Sequence, residues 1–346
     1  MLREARETLS RGDTLVAYRW DPDSLLAAGL LASIVWSRGY RVGFLAFEDL
    51  LPTAGLVSRI VVESRKYDVT VLVGPGWNGP EIDYMARNIH GEVLVVDNHV
   101  NRTRPAAFNV VYFNPSPRGD PRGNWITRTF ISDVIAGGEY PELVALSVMA
   151  VLGEKAHASR RYQDSLARLG VDHRRGSHVY AEASARLWGL TGSQDPGVYA
   201  EYPLTIMRSG MNPVNAILGD PMLASYQAVM EVLTGDVRML SDVDSVVAAV
   251  VPGELRLSGL QLVARSIAYR HGKIGLAVKT MGNGEVQFCA WNGSRLENPL
   301  SLSLSGLRGA GYRIITAYQG VLDYACAASR GRSIDSVVRD VVSNIK

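Results

Sequence analysis

Five short runs of apolar residues punctuate the first 155 residues of the chain, and helix-like segments separate most of them. Each run is unbroken rather than alternating with polar residues, which is typical of strands that are buried on both faces. A parallel sheet covered by helices meets that requirement. The runs lie at residues 14–18, 41–47, 69–74, 92–97 and 109–114. The sequence therefore predicts an α/β domain over residues 1–155, built on a doubly wound parallel sheet.

The rest of the chain shows two further patterns. Residues 156–242 have mainly helical periodicity interrupted by prolines, which predicts a helical connector. Residues 243–346 return to strand and helix patterns, and the Asn-Gly pair at residues 283 and 284 favours a hairpin turn. We therefore expect a smaller C-terminal α/β domain after the connector.

Charge and cysteine content exclude several classes of protein. Lys and Arg total 36 against 34 Asp and Glu, a formal net charge of +2, so the chain is not a polybasic coat for nucleic acid. Two cysteines are too few for a disulfide framework, a Cys-rich zinc site or an iron–sulfur cluster. The longest apolar stretch, residues 25–36, is shorter than the ~20 residues of a membrane span, and the N-terminus lacks a signal-peptide pattern. We expect a cytoplasmic protein without a membrane partner.

Carboxylates and an imidazole follow two of the predicted strands. Asp21 and Asp23 follow the first strand, and Asp97 and His99 follow the fourth. The carboxyl ends of parallel strands form the edge where ligands bind, so these side chains are candidates for one site. Paired carboxylates suit a hard divalent cation, and a carboxylate with an imidazole suits manganese, iron or zinc. Alternatively, Asp23 caps the following helix, and Asp97 and His99 satisfy backbone groups of their loop.

These clusters resemble motifs of the DHH phosphoesterase superfamily, which includes the RecJ exonucleases. That superfamily carries His-x-Asp-x-Asp-Gly after its first strand, and Asp21 and Asp23 match the two aspartates. It carries Asp-His-His after a later strand, and Asp97 and His99 match the first and third positions. The resemblance implies these four residues are the remnant of a metal site.

Later motifs extend the resemblance over nearly the whole chain. Asn114-Pro115 matches an Asn-Pro of the superfamily, and Gly153-Glu154 matches its Gly-Asp, with Glu154 as a further metal-site candidate or, alternatively, a solvated helix end. The superfamily's C-terminal domain usually has a Gly-Gly-Gly-His turn that grips nucleic-acid phosphate. The nearest counterpart here comprises Arg308, Gly309, Gly311 and Arg313.

The departures from the superfamily pattern concern the metal ligands. Arg19 stands in place of the first-motif His, Ser24 in place of the Gly, and Asn98 in place of the first His of Asp-His-His. The Asp expected after the middle strand is missing, because Val73-Gly74-Pro75 stands there. In the superfamily that Asp bridges two metal ions, and two-metal sites stabilise both the attacking and the leaving oxygen. The resemblance therefore implies a degraded site with no resident cofactor, or manganese or magnesium if the remnant still binds metal.

Basic residues supply candidates for nucleic-acid contact. Almost all the cationic side chains are arginine, which forms planar contacts with phosphate; coding bias is the alternative explanation. In the connector, an Arg stripe could track a phosphate backbone, or it could be a solvated helix face. The stripe comprises Arg160, Arg161, Arg174 and Arg175. Further arginines near the strand-end loops are Arg102, Arg104, Arg118 and Arg122. Tryptophans expected near the same edge, for base stacking or core packing, are Trp20, Trp77 and Trp125.

The resemblance implies a role in DNA replication. Non-catalytic members of this superfamily associate with the GINS complex and the Mcm helicase. We therefore expect a catalytically degenerate, archaeal RecJ-like replisome subunit that binds GINS, with single-stranded DNA as a further partner and a nucleoid-associated location. Three alternatives remain open: a manganese- or magnesium-dependent exonuclease, a phosphodiesterase of short oligonucleotides or cyclic dinucleotides, and a protein-interaction module without DNA contact.

Overall fold

The N-terminal part of the chain is built on a five-stranded parallel sheet. The structure, a computed structural model, describes residues 1–48, 52–99, 103–115, 126–235, 237–243, 245–292, 304–318 and 324–344. The strands are β1 (Thr14–Arg19), β2 (Val42–Phe47), β3 (Val69–Val73), β4 (Glu92–Val96) and β5 (Val110–Phe113). Their order is β2-β1-β3-β4-β5, and each neighbouring pair is parallel. The predicted α/β class with a parallel sheet is confirmed.

Helices cover both faces of this sheet. They are α1 (Leu2–Thr8), α2 (Pro22–Ser37), α3 (Ala54–Ser64), α4 (Gly79–Ala86), α5 (Arg128–Ala136) and α6 (Pro141–Leu152). Leu15 and Ala17 of β1 pack with Ile60 of α3 and Met85 of α4 in one core cluster. The chain moves from β1 to β2 in one direction and from β2 to β3 in the other. Because such crossovers are right-handed, α2 lies on the face opposite α3 and α4.

A helical region follows the parallel sheet. It contains a 3-10 helix (Gly153–Ala158), α7 (Arg160–Arg168), α8 (His173–Ser193), α9 (Tyr202–Arg208), α10 (Pro213–Gly219) and α11 (Pro221–Gly235). The chain separates into two compact units, one comprising Met1–Leu187 and Gln194–Ala224, the other Trp188–Ser193 and Ser225–Lys346. Both units thus include residues from the predicted connector. The domain boundaries at residues 155 and 242 stay a prediction.

The second unit contains a six-stranded mixed sheet with the order β10-β11-β9-β8-β7-β6. Its strands are β6 (Arg238–Val243), β7 (Val246–Val250), β8 (Ile274–Thr280), β9 (Glu285–Asn292), β10 (Arg313–Tyr318) and β11 (Tyr324–Arg330). Its helices are α12 (Leu257–His271), α13 (Leu304–Gly309) and α14 (Ile334–Ser343). The pair β7–β8 is parallel and the other pairs are antiparallel.

A buried disulfide joins two strands of this sheet. Cys289 of β9 and Cys326 of β11 are direct cross-strand partners, and they form a disulfide that closes 37 residues of chain. The sequence pattern does not predict this bond, because it does not reveal β11 or the register of the two strands. Among the described residues, no helix combines the length and apolarity needed to cross a membrane.

Candidate functional site

The candidate site lies at the carboxyl edge of the parallel sheet, beside its central strand. The chain direction reverses around β1, since β2 lies on one side of it and β3 on the other. Ligands of open α/β sheets bind in the crevice at such a reversal. Asp21 follows β1 and is the N-cap of α2, where its carboxylate accepts the Ser24 backbone N–H at 2.9 Å. The alternative that Asp23 is the capping residue is therefore wrong.

Asp23 instead points to the start of another helix. Its Oδ2 accepts the backbone N–H of Arg128 at 2.9 Å, and its Oδ1 accepts the backbone N–H of Thr129 at 3.0 Å. The Thr129 hydroxyl also donates to Oδ1 at 2.8 Å. The two amides belong to the first turn of α5, where N–H groups have no partner within the helix. Asp23 thus satisfies both orphan donors and ties α2 to α5.

Arg128 is the residue that the sequence analysis missed. Its Nε donates to Asp23 Oδ2 at 2.9 Å, and its Nη1 lies 3.1 Å from Asp21 Oδ2 and 2.6 Å from the Ser24 hydroxyl. The guanidinium therefore bridges the two motif aspartates, and the Arg128 side chain is itself 8% exposed. One signal in the sequence could have revealed it. A cation in the first turn of a helix is disfavoured by the helix dipole, so an arginine at this position favours a nearby carboxylate as its partner.

A second buried cation adjoins the same carboxylate. Arg19 Nε lies 3.2 Å from Asp21 Oδ2, and both residues are buried. Burial alone raises the pKa of the Asp21 carboxyl. The positive charges of Arg128 and Arg19 and the Ser24 N–H outweigh burial and hold that pKa below its ordinary value. Asp21 is therefore an ionised carboxylate whose charge is balanced by side chains of the protein.

Asp97 and His99 form a second buried pair after β4. His99 Nδ1 lies 2.6 Å from Asp97 Oδ1, and Asp97 also accepts the backbone N–H groups of Asn98 at 2.9 Å and Gly76 at 3.2 Å. Burial raises the pKa of the Asp97 carboxyl, but the charge and hydrogen bonds of His99 outweigh it and hold the pKa low. These contacts include backbone groups of the pair's own loop, as the alternative for this motif expected.

The two asparagines of the motif loops hold backbone carbonyls. Asn98 Nδ2 donates to the carbonyl of Ile126 at 2.8 Å, ahead of α5. Asn114 Nδ2 donates to the carbonyl of His99 at 2.8 Å. Both side chains are buried. In these roles they fasten the loops after β4 and β5 to each other and to the chain entering α5.

Gly74, in the stretch Val73-Gly74-Pro75 where the sequence has no Asp, leaves no room for a side chain. It follows β3 with φ of +66°, and a Cβ atom placed there would lie 2.4 Å from Arg128 Nη1 and 3.0 Å from the Ser24 hydroxyl. Any side chain at this position therefore collides with the buried guanidinium. Position 74 therefore requires glycine while Arg128 holds its place beside Asp21 and Asp23.

The donor set does not fit the two-metal centre that the resemblance implies. Arg128 engages carboxylate oxygens of both Asp21 and Asp23, and Arg19 adds a second positive charge against Asp21. Within the described ranges, no three or more His, Cys, Asp or Glu side chains form a group that could hold a metal ion. The side chain of Glu154 lies outside the described residues, although its backbone belongs to the 3-10 helix. The cations beside the motif aspartates are thus arginine side chains.

The predicted nucleic-acid residues are spread over the two units. Arg160 is exposed and lies 3.8 Å from Asp164, whereas the guanidinium of Arg161 stacks on the ring of Phe130 at 3.9 Å. The side chains of Arg174 and Arg175 lie outside the described residues. Arg161 is thus held against α5 rather than fully available to a ligand.

The C-terminal turn is also partly engaged within the protein. Arg308 and Gly309 end α13 and are exposed, Gly311 has φ of +86°, and Arg313 forms an ion pair with Glu285 at 3.1 Å. Tyr312, at the position of the superfamily's His, is buried and its hydroxyl donates to Asp340 at 2.7 Å. That tyrosine packs inward, so it does not face a ligand.

Aromatic residues expected at the site edge belong to the core. Trp20 and Trp77 are buried, and Trp20 Nε1 donates to the carbonyl of Gln194 at 3.2 Å. The base-stacking alternative for these two tryptophans is therefore wrong. Arg104 is exposed. The remaining candidates of this group, outside the described residues, are Arg102, Arg118, Arg122 and Trp125.

Comparison with solved structures identifies the class of fold as RecJ- and DHH-like. RecJ of Thermus thermophilus in complex with Mn²⁺ superposes with a TM-score of 0.64 at 17% identity, over 99% of this chain and 54% of RecJ. This chain therefore spans about half the length of that RecJ. An exonuclease RecJ bound to manganese gives a TM-score of 0.60 at 16% identity, covering 99% of this chain and 94% of the other.

A third structure shares the fold. The DHH domain of a member of the s1p family of ribosomal proteins gives a TM-score of 0.61 at 13% identity, covering 99% of this chain and 88% of the other. No protein-family model and no curated protein sequence matches the chain. The likeness is thus one of fold, and the chemistry of the site rests on the residues described above.

Proposed function

We propose that the protein is a non-catalytic RecJ-like subunit of an archaeal replisome, which binds the GINS complex and through it the Mcm helicase. The RecJ-like fold supports the link to DNA metabolism. One observation carries the non-catalytic part of the proposal: the Arg128 guanidinium bridges Asp21 and Asp23. A metal-dependent phosphoesterase needs those carboxylate oxygens free for metal ions.

The arrangement is suited to holding a scaffold together. Asp23 joins α2 to α5, and Arg128 joins α5 back to the loop after β1, so the former ligand positions act as cross-links between elements. A fold kept rigid in this way can present a binding surface without turnover. Single-stranded DNA is a further partner in this proposal.

A nuclease assay tests the non-catalytic role. We expect purified protein with manganese to leave end-labelled single-stranded DNA intact, and the variant with Asp21→Ala and Asp97→Ala to behave identically. Turnover by the unchanged protein that the double variant loses would refute the role. Co-purification from native extract tests the partner: GINS subunits are expected with the unchanged chain, and their absence would refute the replisome assignment.

A manganese-dependent exonuclease is the second candidate. Two structures with this fold are RecJ proteins bound to manganese, and Asp97 with His99 retains part of the DHH motif. In that case a single ion would use some of Asp21, Asp23, Asp97, His99 and Glu154, and Arg128 would have to leave the carboxylates. The same nuclease assay distinguishes the two candidates.

A further inference from the structure

A basic cavity lies at the edge of the parallel sheet opposite the aspartate site. It is a shallow depression open to solvent, with a volume of about 460 Å³, and it is lined by Arg65, Arg87, Asn88, Ile89 and His90. Arg65 is the C-cap of α3 and Arg87 is the C-cap of α4. Their side chains and that of His90 are exposed, whereas Ile89 is buried and anchors the loop before β4. The cavity therefore presents two permanent cations, an imidazole and an amide to solvent.

Acidic side chains near this cavity have partners of their own. Glu63 forms an ion pair with Lys66 at 2.9 Å, and Asp68 accepts the backbone N–H of Asp13 at 3.0 Å. Asp83 Oδ1 accepts two backbone N–H groups, of residues 106 and 107, each at 2.8 Å. Helix dipoles favour cations at helix C-termini, so the arginines also have a structural role here. Their exposed guanidinium groups still leave a positive surface that suits phosphate.

Two exposed aromatic rings adjoin the same end of α4. Tyr84 lies one turn before Arg87 and is 66% exposed, and Phe108 is fully exposed at 101%. The two hydrogen bonds that Asp83 accepts hold the segment before Phe108 against α4. Just beyond it, Asn109 Nδ2 donates to the carbonyls of residues 86 and 91 at 3.1 and 3.0 Å. Four hydrogen bonds therefore fix the segment that carries the unburied Phe108 ring against the last turn of α4, the helix whose C-cap is Arg87.

We propose that this surface, formed by Arg65, Arg87, His90, Tyr84 and Phe108, binds a single-stranded nucleic acid. Cations that follow the backbone, combined with aromatic rings that stack on bases, are the recognition chemistry of single-strand binders. The cavity accepts a backbone phosphate, and Phe108 and Tyr84 offer faces to unpaired bases. A duplex binds less well because its bases are already stacked on each other.

The surface is separate from the aspartate site and from the arginines predicted in the connector. It lies at the amino ends of the strands, whereas Asp21 and Asp97 lie at the carboxyl ends. This proposal names the surface that binds the single-stranded DNA of the proposed function. It rests on that function only for the role of the binding in DNA replication. The nuclease and GINS experiments do not involve these residues, so either proposal can fail alone.

Fluorescence anisotropy with labelled oligo(dT) and oligo(rU) over a range of salt concentrations tests the phosphate contacts. In the full chain with Arg65→Ala and Arg87→Ala, the slope of log affinity against log salt should become shallower by about 1.4, since each phosphate contact on a single strand contributes about 0.7. The control Arg3→Ala removes an exposed arginine paired with Glu7 on α1 and should leave the slope within error. Equal slopes in the double variant and the unchanged chain would overturn the proposal.

Aromatic variants test stacking separately from charge. Phe108→Ala should weaken binding by about five- to a hundredfold at unchanged salt slope, and Phe108→Trp should restore it. Val198→Ala, an exposed apolar residue elsewhere in the same unit, is the matched control and should have no effect. Excess inorganic phosphate should compete only weakly. An unchanged affinity in Phe108→Ala, or an unchanged chain that binds neither oligonucleotide at low salt, would also overturn the proposal.

Discussion

Replacement of Arg128 by alanine is the sharpest test of the site described above. The change removes one guanidinium and leaves the carboxylates of Asp21 and Asp23 buried, with exposures of 5% and 1%. It deletes the bonds at 2.9 and 3.1 Å to these carboxylates and the bond at 2.6 Å to Ser24. Removing one partner of a buried ion pair costs about 3–5 kcal/mol, because the remaining charge stays out of water. The two charge-assisted hydrogen bonds, at ~1.5–3 kcal/mol each, sum to about 3–6 kcal/mol, which overlaps that range.

The measurement is unfolding by urea and by heat, followed by tryptophan fluorescence from buried Trp20 and Trp77. We expect Arg128→Ala to lower the free energy of unfolding by about 3–5 kcal/mol and the melting temperature by roughly 6–20 °C. Arg128→Lys keeps the charge but loses the planar fork, so an intermediate loss is expected. Arg3→Ala, which breaks an exposed ion pair on α1, should cost less than about 1 kcal/mol. A loss in Arg128→Ala no larger than in Arg3→Ala would refute the reasoning.

A metal titration extends the same experiment. With the guanidinium gone, Asp21 Oδ2 and Asp23 Oδ2 each lose one cationic partner, and a hard divalent cation suits the place it leaves. Excess manganese should therefore raise the free energy of unfolding of Arg128→Ala by about 2.7 kcal/mol at a hundred times the dissociation constant, and leave that of the unchanged chain the same. A manganese-dependent rise in the unchanged chain would show that metal ions already displace Arg128.

Three further predictions concern other parts of the molecule. Gly74→Ala should destabilise the protein by well over ~1 kcal/mol, because a residue with a side chain there has both a positive φ and a collision with Arg128. Gly39→Ala is the control, since Gly39 has φ of +85° but no atom within 4 Å of an added Cβ, and it should cost only about 1 kcal/mol. Urea denaturation measures both. In the folded protein the pKa values of the Asp21 and Asp97 carboxyls lie below their ordinary values, so these groups contribute full stability above the unfolded carboxyl pKa of ~3.9. The free energy of unfolding should therefore fall as pH drops through the lower folded pKa values. A melting temperature that does not change with pH below pH 5 would contradict this. Reducing the disulfide between β9 and β11 should lower the free energy of unfolding by up to about 4 kcal/mol, given its 37-residue separation. Dithiothreitol should therefore lower the unfolding midpoint of the unchanged chain. It should have no effect on a variant in which both cysteines are replaced by alanine.

Much of the first unit could be predicted from apolar runs alone. The observed β1, β3 and β4 lie within a residue of the predicted strands, because a strand buried on both faces leaves an unbroken apolar pattern. Elements with weaker patterns escaped. β11 is rich in small residues such as Ala325 and Ala327, which give a weak strand pattern. β6 carries charged residues at Arg238 and Asp242, which are unusual in a buried strand. Their pairing depends on neighbouring strands rather than on their own sequence.

The candidate site divides in the same way. Asp21, Asp23, Asp97 and His99 could be assigned to one edge because strand ends determine where they lie. The absence of an Asp from the stretch Val73-Gly74-Pro75 was also visible in the sequence. The collision between a side chain at Gly74 and Arg128 was not visible in the sequence. The guanidinium that collides with any side chain at Gly74 comes from a helix that begins 54 residues later.

By itself, the sequence determined the parallel α/β class and the edge at which polar residues gather, because both depend on local pattern and strand order. Only the tertiary structure decided which cations lie beside Asp21 and Asp23. Arg128 reaches Asp23 across 105 residues of chain, and such a contact follows from how α5 packs on α2 rather than from any periodicity. Likewise, packing of the loop before β5 on α4 decided that Phe108 is exposed on a segment held against the last turn of α4. Burial and charge pairing between distant segments are properties of the packed chain, so the site's chemistry became visible only there.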